Sequence, residues 1–136
     1  MRAASLFFAV RGIVRTKLAR GKKLDPSAWL RVETMKFISD RTRPSMRAVA
    51  EHLSITAPSA TSLIGGLIKD GLVARGTSSR DRRASELSLT PEGKRMLEKT
   101  LARGTKILGE VFGALTPEEL AAFTAALASI KERAGE

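Results

Sequence analysis

Cysteine is absent from the 136-residue chain, and histidine and tryptophan occur once each, at His52 and Trp29. Without cysteine the chain can form no disulfide, no thiol redox sensor and no cysteine-based zinc site. With a single histidine, a transition-metal site would need mostly carboxylates. We therefore expect no metal and no cofactor, and we interpret His52 as a solvated or partly packed side chain.

Long hydrophobic runs are missing as well, since none approaches the roughly 20 residues needed to cross a bilayer. Residues 1–24 contain basic side chains but no acidic one, a composition that also occurs in organelle transit peptides. An ordinary amphipathic helix is the favoured interpretation, because apolar residues recur there at helical spacing. They are Leu6, Val10 and Ile13 on one stripe and Phe7, Val14 and Leu18 on its neighbour. We expect a cytoplasmic protein with no membrane partner.

Acidic residues are too few to balance the basic ones, because 14 Asp and Glu against 24 Lys and Arg give a formal net charge of +10. This excess indicates an anionic partner, either nucleic acid or a membrane surface. The sequence also lacks a glycine-rich phosphate loop, a nucleophile–base pair and a carboxylate dyad at helical spacing. The chain is therefore not expected to be an enzyme.

Helix boundaries are marked by capping signals. A short helix over 46–53 follows Ser45, and a second helix over 57–70 follows Thr56 and is ended by Gly71. A short helix, a tight turn and a following helix are typical of a helix-turn-helix. The other predicted helices lie in residues 1–24 and begin at Asp25-Pro26, Thr90-Pro91 and Thr116-Pro117.

Two short strands are predicted at 72–75 and 86–89. The stretch SSRDRRASEL, residues 78–87, joins them, so its three arginines belong to the tip of a hairpin. A hairpin directly after a helix-turn-helix indicates the wing of a winged-helix domain. The predicted fold is mainly α: a winged helix-turn-helix with a two-stranded β wing and long N- and C-terminal helices.

The stretch DGLVARGTSSRDRRASELSLTPEGK resembles the MarR family of bacterial transcription regulators. The matching features are Gly71-Leu72 after the second helix, Asp81-Arg82-Arg83 in the wing, and Leu89-Thr90 with Gly93 after it. The resemblance covers nearly the whole chain. It implies a single domain over 1–136, in which 25–90 form the winged core and 1–24 and 91–136 form dimerisation helices.

The resemblance also implies a function. It implies a homodimeric repressor that binds a palindromic operator in double-stranded DNA and is released by a small aromatic or anionic effector. Trp29 is a weak candidate for lining the effector pocket, since a lone tryptophan near a helix start more often belongs to a core or an interface.

Candidate DNA contacts fall on three parts of the predicted fold. The wing arginines can neutralise phosphates or enter a narrow minor groove, and Asp81 would pair with Arg83 and hold it in place. The second helix of the helix-turn-helix, over 57–70, is the recognition helix. Its start offers small hydroxyls and a helix N-terminus that attracts phosphate. The candidates are Ser59, Ala60, Thr61, Ser62 and Gly66 in the recognition helix, Arg80, Asp81, Arg82 and Arg83 in the wing, and Arg47, Lys69 and Arg75 on the DNA backbone.

The recognition helix departs from the family pattern because its middle holds small residues and the pair Gly65-Gly66. Each glycine weakens a helix by roughly 1 kcal/mol relative to alanine. Two other functions therefore stay open: a DNA-binding architectural protein without effector control, and a winged-helix module that binds proteins, since fold does not fix function. Steep salt dependence of duplex binding would favour DNA as the partner.

Overall fold

Six helices and one two-stranded sheet make up the described part of the chain. The computed structural model describes residues 2–19, 25–77 and 85–134. The predicted order of elements and the mainly α winged helix-turn-helix fold are confirmed. In chain order the elements are α1 (Arg2–Ala19), α2 (Pro26–Asp40), α3 (Met46–Leu53), α4 (Ala57–Lys69), β1 (Val73–Thr77), β2 (Ser85–Leu89), α5 (Pro91–Phe112) and α6 (Pro117–Ala134).

The chain divides into two compact units. The winged unit contains residues 22–102, and the terminal unit contains residues 1–21 together with 103–136. The division falls inside α5, so residues 91–102 belong to the winged unit, whereas the sequence placed all of 91–136 with the terminal helices. The role of those helices in a dimer stays a prediction.

Side-chain caps begin the helices at the predicted positions. The Asp25 carboxylate accepts hydrogen bonds from the backbone N–H and the hydroxyl of Ser27, at 2.9 and 2.6 Å. These bonds favour the charged form and lower the pKa of Asp25 below its usual value. The Ser45 hydroxyl accepts from the Ala48 N–H at 3.1 Å. Each cap satisfies a backbone donor that the first helical turn leaves open.

The core of the winged unit forms where α4 packs on its neighbours. On one face α4 buries Ala60, Ile64 and Leu67, which follow the i, i+4, i+7 spacing of a helical stripe. Val49 of α3 and Leu87 of β2 lie fully buried in the same core. Burying such a side chain stabilises a fold by about 1.5–3 kcal/mol. The buried face therefore fixes the rotation of α4 and decides which of its residues point outward.

The base of the wing is tied to the segment that precedes α3. The two strands pair antiparallel, with Val73 opposite Leu89. The Leu87 N–H donates to the Pro44 carbonyl at 3.0 Å, and Ser45 forms a bridge with Glu86. The wing and the helix-turn-helix are thereby joined through the backbone.

Two residues in the left-handed backbone conformation shape the turns before and after α4. Ser54 ends α3 at φ 53°, and its N–H donates to the carbonyls of Ala50 and Glu51. Gly71 ends the α4 region at φ 72°, and its N–H donates to the Ile68 carbonyl at 2.9 Å. Glycine adopts this conformation without the steric cost that a Cβ brings. The predicted stop at Gly71 is confirmed.

The Leu-Thr-x-x-Gly motif fastens the start of α5 to the turn after α4. The Thr90 hydroxyl donates to the Gly71 carbonyl at 2.6 Å and accepts from the Gly93 N–H at 3.0 Å. The Thr90 N–H donates to the Leu72 carbonyl at 3.1 Å. Gly93 lies so close to the backbone of Leu72 that a Cβ on Gly93 would stand 2.0 Å from the Leu72 oxygen. The motif is therefore structural at Thr90 and Gly93.

The terminal unit leaves many apolar side chains exposed. The Phe112 and Phe123 rings pack with centroids 5.1 Å apart, and Arg103 donates to the Leu18 carbonyl at 2.6 Å. The predicted capping box joins Thr116 and Glu119 through bonds of 2.9 and 3.2 Å. The large apolar side chains that are exposed on α1 and α6 are Leu6, Phe7, Phe8, Val10 and Ile13 on α1 and Leu120, Phe123, Leu127 and Ile130 on α6.

Among the described residues, no helix is long and apolar enough to cross a membrane.

Candidate nucleic-acid interface

Three hydroxyl residues, Thr56, Ser59 and Thr61, lie at the N-cap and in the first two turns of α4. Their hydroxyl groups differ in the hydrogen bonds that they make. The Thr56 hydroxyl caps α4 by accepting from the Ser59 N–H at 3.3 Å, and it lies 2.9 Å from the Ser59 hydroxyl. The Thr61 hydroxyl donates to the Ala57 carbonyl at 2.9 Å, so it is left to accept. Ser59 and Thr61 are exposed at the positions predicted for them, but part of their bonding capacity serves the helix.

Ser62 and Lys69 lie on the outer face of α4, opposite its buried stripe. Pro58, Ser62, Gly65 and Lys69 are all exposed and recur at the spacing of one helical face. Within residues 2–19, 25–77 and 85–134, the Ser62 hydroxyl makes no hydrogen bond. It can therefore donate to a phosphate or to a base edge.

The predicted DNA contact from Ala60 is wrong. Its side chain is only 1% exposed and points into the core with Ile64 and Leu67. The physical reason is the phase of the helix, since a residue four before Ile64 lies on the same face as Ile64. The buried i, i+4, i+7 series was visible in the sequence and identifies Ala60 as a core residue.

Gly66, which the sequence predicts as a DNA contact, is less exposed than its neighbour Gly65. Gly66 is half-buried, and a Cβ on it would stand 3.5 Å from the Arg31 Nη1 atom of α2. Gly65 is the exposed glycine, and a Cβ there would meet no described atom within 4 Å. The backbone of α4 is therefore exposed on its outer face at Gly65, while Gly66 faces α2.

Changing these neighbouring glycines to alanine should separate helix stability from DNA binding. Gly65→Ala should stabilise the helix by about 1 kcal/mol yet weaken specific duplex binding by about 1–3 kcal/mol, the range typical of one spoiled base-pair contact. The reason is that short hydroxyls reach base edges only when the backbone approaches closely. The matched variant Gly66→Ala should gain stability and keep its affinity. Urea denaturation and duplex titration measure both, and equal affinities for the two variants would contradict close approach at Gly65.

The basic residues predicted to touch the DNA backbone are all at the surface. Arg47 is 88% exposed and its Nε lies 2.8 Å from the Glu51 carboxylate, which raises the pKa of Arg47. Arg75 lies exposed on β1 and Lys69 in the last turn of α4. Their DNA contacts stay predictions. The predicted wing contacts Arg80, Asp81, Arg82 and Arg83 lie outside the described residues.

His52 joins α3 to α2. Its ring stacks on Phe37 at a centroid distance of 4.2 Å, and its Nε2 lies 3.0 Å from a Glu33 oxygen. Among the described residues, no group of three or more His, Cys, Asp or Glu side chains is placed to hold a metal ion. The interpretation of His52 as a partly packed residue agrees with these contacts.

A cavity of about 220 Å³ lies between α2, α5 and Leu72, the residue before β1. Trp29 is 71% exposed and does not belong to its lining, so the place of Trp29 in an effector pocket stays a prediction. The tryptophan stands in the first turn of α2, where its side chain faces outward. The lining residues are Asp25, Ala28, Arg31, Val32, Met35, Leu72, Met96, Leu97 and Thr100.

Sequence reasoning missed the ion pair between Arg31 of α2 and Asp70 at the end of α4. The two residues are 39 positions apart, so no local pattern brings them together. One local signal was available. A carboxylate at the C-terminal end of a helix faces the negative end of the helix dipole, which suggests that a cation lies nearby.

Comparison with known proteins finds one family that part of the chain resembles. Residues 34–84, which hold α3, α4 and β1, match the MarR family model. The chain is also 29% identical over 127 residues to the HTH-type transcriptional repressor YetL of Bacillus subtilis, covering 93% of this chain and 69% of YetL. In these comparisons the chain is similar to MarR family proteins.

Other relatives match a shorter part of the chain. The HTH-type transcriptional repressor MdtR of Bacillus subtilis is 34% identical over 87 residues, or 62% of this chain and 56% of MdtR. The chain likewise spans about half the length of the regulators YsmB of Bacillus subtilis and PrsX of Escherichia coli.

Solved structures share the fold of the chain at low identity. A MarR family protein from Bacillus stearothermophilus superposes with a TM-score of 0.80 at 15% identity, covering 99% of this chain and 94% of that one. Bordetella bronchiseptica BpsR, whose DNA binding is regulated by 6-hydroxynicotinic acid, has a TM-score of 0.68 at 22% identity, covering 96% and 93%. At these identities the likeness establishes the fold alone.

Proposed function

We propose that this chain is a DNA-binding transcriptional regulator of the MarR family that acts as a homodimeric repressor. The observation that carries the proposal is the outer face of α4. The residues on this face have small side chains, are exposed and include hydroxyl residues near the start of the helix. The opposite face of α4 is packed into the core by Ile64 and Leu67. Such a helix can enter a major groove without losing packing, and the net charge of +10 favours a polyanion.

The dimer part of the proposal is supported by the terminal unit. Two helices there expose apolar side chains such as Phe7, at 65%, and Ile130, at 61%. Large exposed apolar patches are typical of interaction sites. A second copy of the chain would cover both patches at once and place two recognition helices on the same side of a duplex, as a palindromic operator requires.

The wing is assigned its role from the sequence motif. We propose that Arg83 enters the minor groove and that Asp81 orients it, with Arg80 and Arg82 on phosphates. Insertion of arginine into a narrow minor groove follows from the enhanced negative potential there. Because residues 85–89 anchor the hairpin to the Ser45 segment, the tip would have a fixed base.

Effector control is assigned to the cavity between α2 and α5. Its walls are mainly apolar and include Met35 and Met96, whose flexible side chains adapt to different ligands. Arg31 and Thr100 supply polar groups that would orient a ligand. BpsR, a structure of the same fold, is regulated by a small aromatic acid, and we propose an effector of comparable size for this chain.

Footprinting on the DNA that flanks the protein's own gene tests the proposed function. We expect two protected half-sites about 10 base pairs apart and an affinity that falls steeply with salt, with a log–log slope of about −0.9 per phosphate contact. Arg83→Ala should bind the same site more weakly. No footprint together with salt-insensitive binding to a protein would contradict a DNA-binding regulator and favour an interaction module.

A further inference from the structure

The segment between α2 and α3 is anchored to the wing by its backbone, while the side chain of Arg43 stays in solvent. Pro44 is buried, and its carbonyl accepts from the Leu87 N–H at 3.0 Å. Ser45 pairs with Glu86 of β2. The Arg43 side chain is nevertheless 71% exposed. The backbone of Arg43 is therefore held in place by its neighbours, and most of its side chain is open to a partner.

Arg43 has an unusual backbone conformation, with φ at 48°. A residue with a Cβ rarely adopts a positive φ, and such a conformation persists only where the surrounding structure imposes it. Among the described residues, one other non-glycine residue has a positive φ, and that residue, Ser54, is the C-cap of α3. Arg43 ends no helix, because the C-cap of α2 is Arg41. Conformations of this kind are concentrated at functional sites, which makes Arg43 a candidate for one.

The guanidinium of Arg43 is held by one carboxylate of the wing. Its Nη1 atom lies 3.3 Å from Oε2 of Glu86, whose side chain is only 26% exposed. Ion pairs at the surface add little to stability, and backbone bonds already join this segment to the wing, so the fold does not require the pair. A guanidinium has five N–H donors, and the bond to Glu86 uses only Nη1. The pair therefore orients the guanidinium and leaves other donors for a second acceptor.

Arg43 lies between the two parts of the surface that are proposed to enter DNA grooves. On one side, Ser45 caps α3, and α3 packs on the recognition helix α4. On the other side, Glu86 is the second residue of β2, close to the end of the strand that leads to the wing tip. A helix in the major groove and a hairpin tip in the next minor groove are separated by one sugar-phosphate strand. A residue between the two on the protein surface faces that strand.

We propose that Arg43 binds a phosphate of this strand and that Glu86 is the positioning residue that holds its guanidinium in place. Residues 41–47 contain three arginines and no acidic residue, so the surroundings of Arg43 attract a polyanion. Contact with a phosphate between the two grooves fixes how the wing and α4 sit on the duplex, although it carries no sequence information. The inference rests on the proposed function, because it adds a contact to the proposed interface.

Arg43→Gln tests the phosphate contact, with Arg95→Gln as the matched control. Both changes remove one positive charge from an exposed arginine that pairs with a glutamate. Arg95 lies on α5, which follows the end of β2 farthest from the wing tip. On a duplex of arbitrary sequence, Arg43→Gln should reduce the log–log salt slope by about 0.9, and Arg95→Gln should keep the parent slope. The affinity ratio of parent to Arg43→Gln should therefore shrink about 3.5-fold between about 50 mM and about 200 mM salt.

Glu86→Ala tests the positioning role, because electrostatics and positioning predict opposite signs. Removal of a negative charge near DNA should by itself strengthen binding, whereas loss of the partner that holds Arg43 should weaken it. We expect weaker binding than the parent, by no more than Arg43→Gln causes. Glu86→Gln keeps an oxygen that accepts from Arg43 and should bind at least as tightly as the parent. In the Arg43→Gln background, Glu86→Ala should no longer weaken binding, since the two residues act as one unit.

Each outcome decides one part of the proposal. Equal salt slopes for Arg43→Gln and Arg95→Gln would overturn the phosphate contact. Tighter binding by Glu86→Ala, or the same loss with and without Arg43, would overturn the positioning role. The Arg43 effect on slope without any footprint would leave the inference standing and contradict the proposed operator-specific function. A parent that binds no duplex at any salt concentration would overturn both.

Discussion

Replacing Gly93 with alanine is expected to destabilise the winged unit by about 3 kcal/mol or more, at the upper end of the range for overpacked sites. The added methyl group would stand 2.0 Å from the Leu72 oxygen and 2.9 Å from its carbonyl carbon. Both atoms belong to backbone and cannot rotate away as a side chain does. The start of α5 would have to move, which breaks the Thr90 hydrogen bonds to Gly71 and Leu72.

Urea denaturation followed by circular dichroism measures this loss. Gly109→Ala is the matched control, because it lies in the same helix and an added Cβ would meet no described atom within 4 Å. We expect Gly109→Ala to be neutral or stabilising by up to about 1 kcal/mol, since alanine favours the helix. Equal midpoints for Gly93→Ala and the parent would show that α5 is not packed against Leu72 as described.

The helix boundaries were predictable because capping is local. Ser45, Thr56 and Thr116 each bond to a backbone N–H three residues on, so the signal and the structure that it specifies lie within one turn. The stop at Gly71 is also local, since it depends on the φ of a single residue. The wing motif was recognised as a family pattern, but the roles of Thr90 and Gly93 became clear only from the contacts with Leu72.

The candidate site was predicted less well because it depends on the rotation of α4. Ala60 and Gly66 differ from their outward neighbours Thr61 and Gly65 by one residue, which turns a side chain through about 100°. Ile64 and Leu67 were sufficient to set that rotation, and they indicate that Ala60 is buried. For the Arg31–Asp70 pair the sequence showed only a carboxylate at the end of a helix and did not indicate its partner, since the pair joins two helices through a contact that only the tertiary fold creates.

Leu127→Arg is expected to convert the proposed dimer into a monomer and to lower operator affinity by about 100-fold or more. Leu127 lies on α6 on one exposed face with Phe123 and Ile130, and a charge there would have to be buried in the dimer without a partner. A monomer binds one half-site at a time and loses the effective concentration gained by linking two, which is worth about 10²–10⁴ in affinity.

The sign of this effect separates dimer loss from simple electrostatics. Leu127→Arg adds a positive charge to a chain of net charge +10, which by itself should strengthen binding to a polyanion. Ala125→Arg adds the same charge at an exposed position of α6 away from the Phe123–Ile130 face and should stay dimeric with affinity equal to or above that of the parent. Sedimentation and duplex titration are run on both variants. A dimeric Leu127→Arg protein would contradict the proposal that the dimer forms through α6. A monomer that binds the operator as tightly as the parent would contradict the proposal that operator binding needs the dimer.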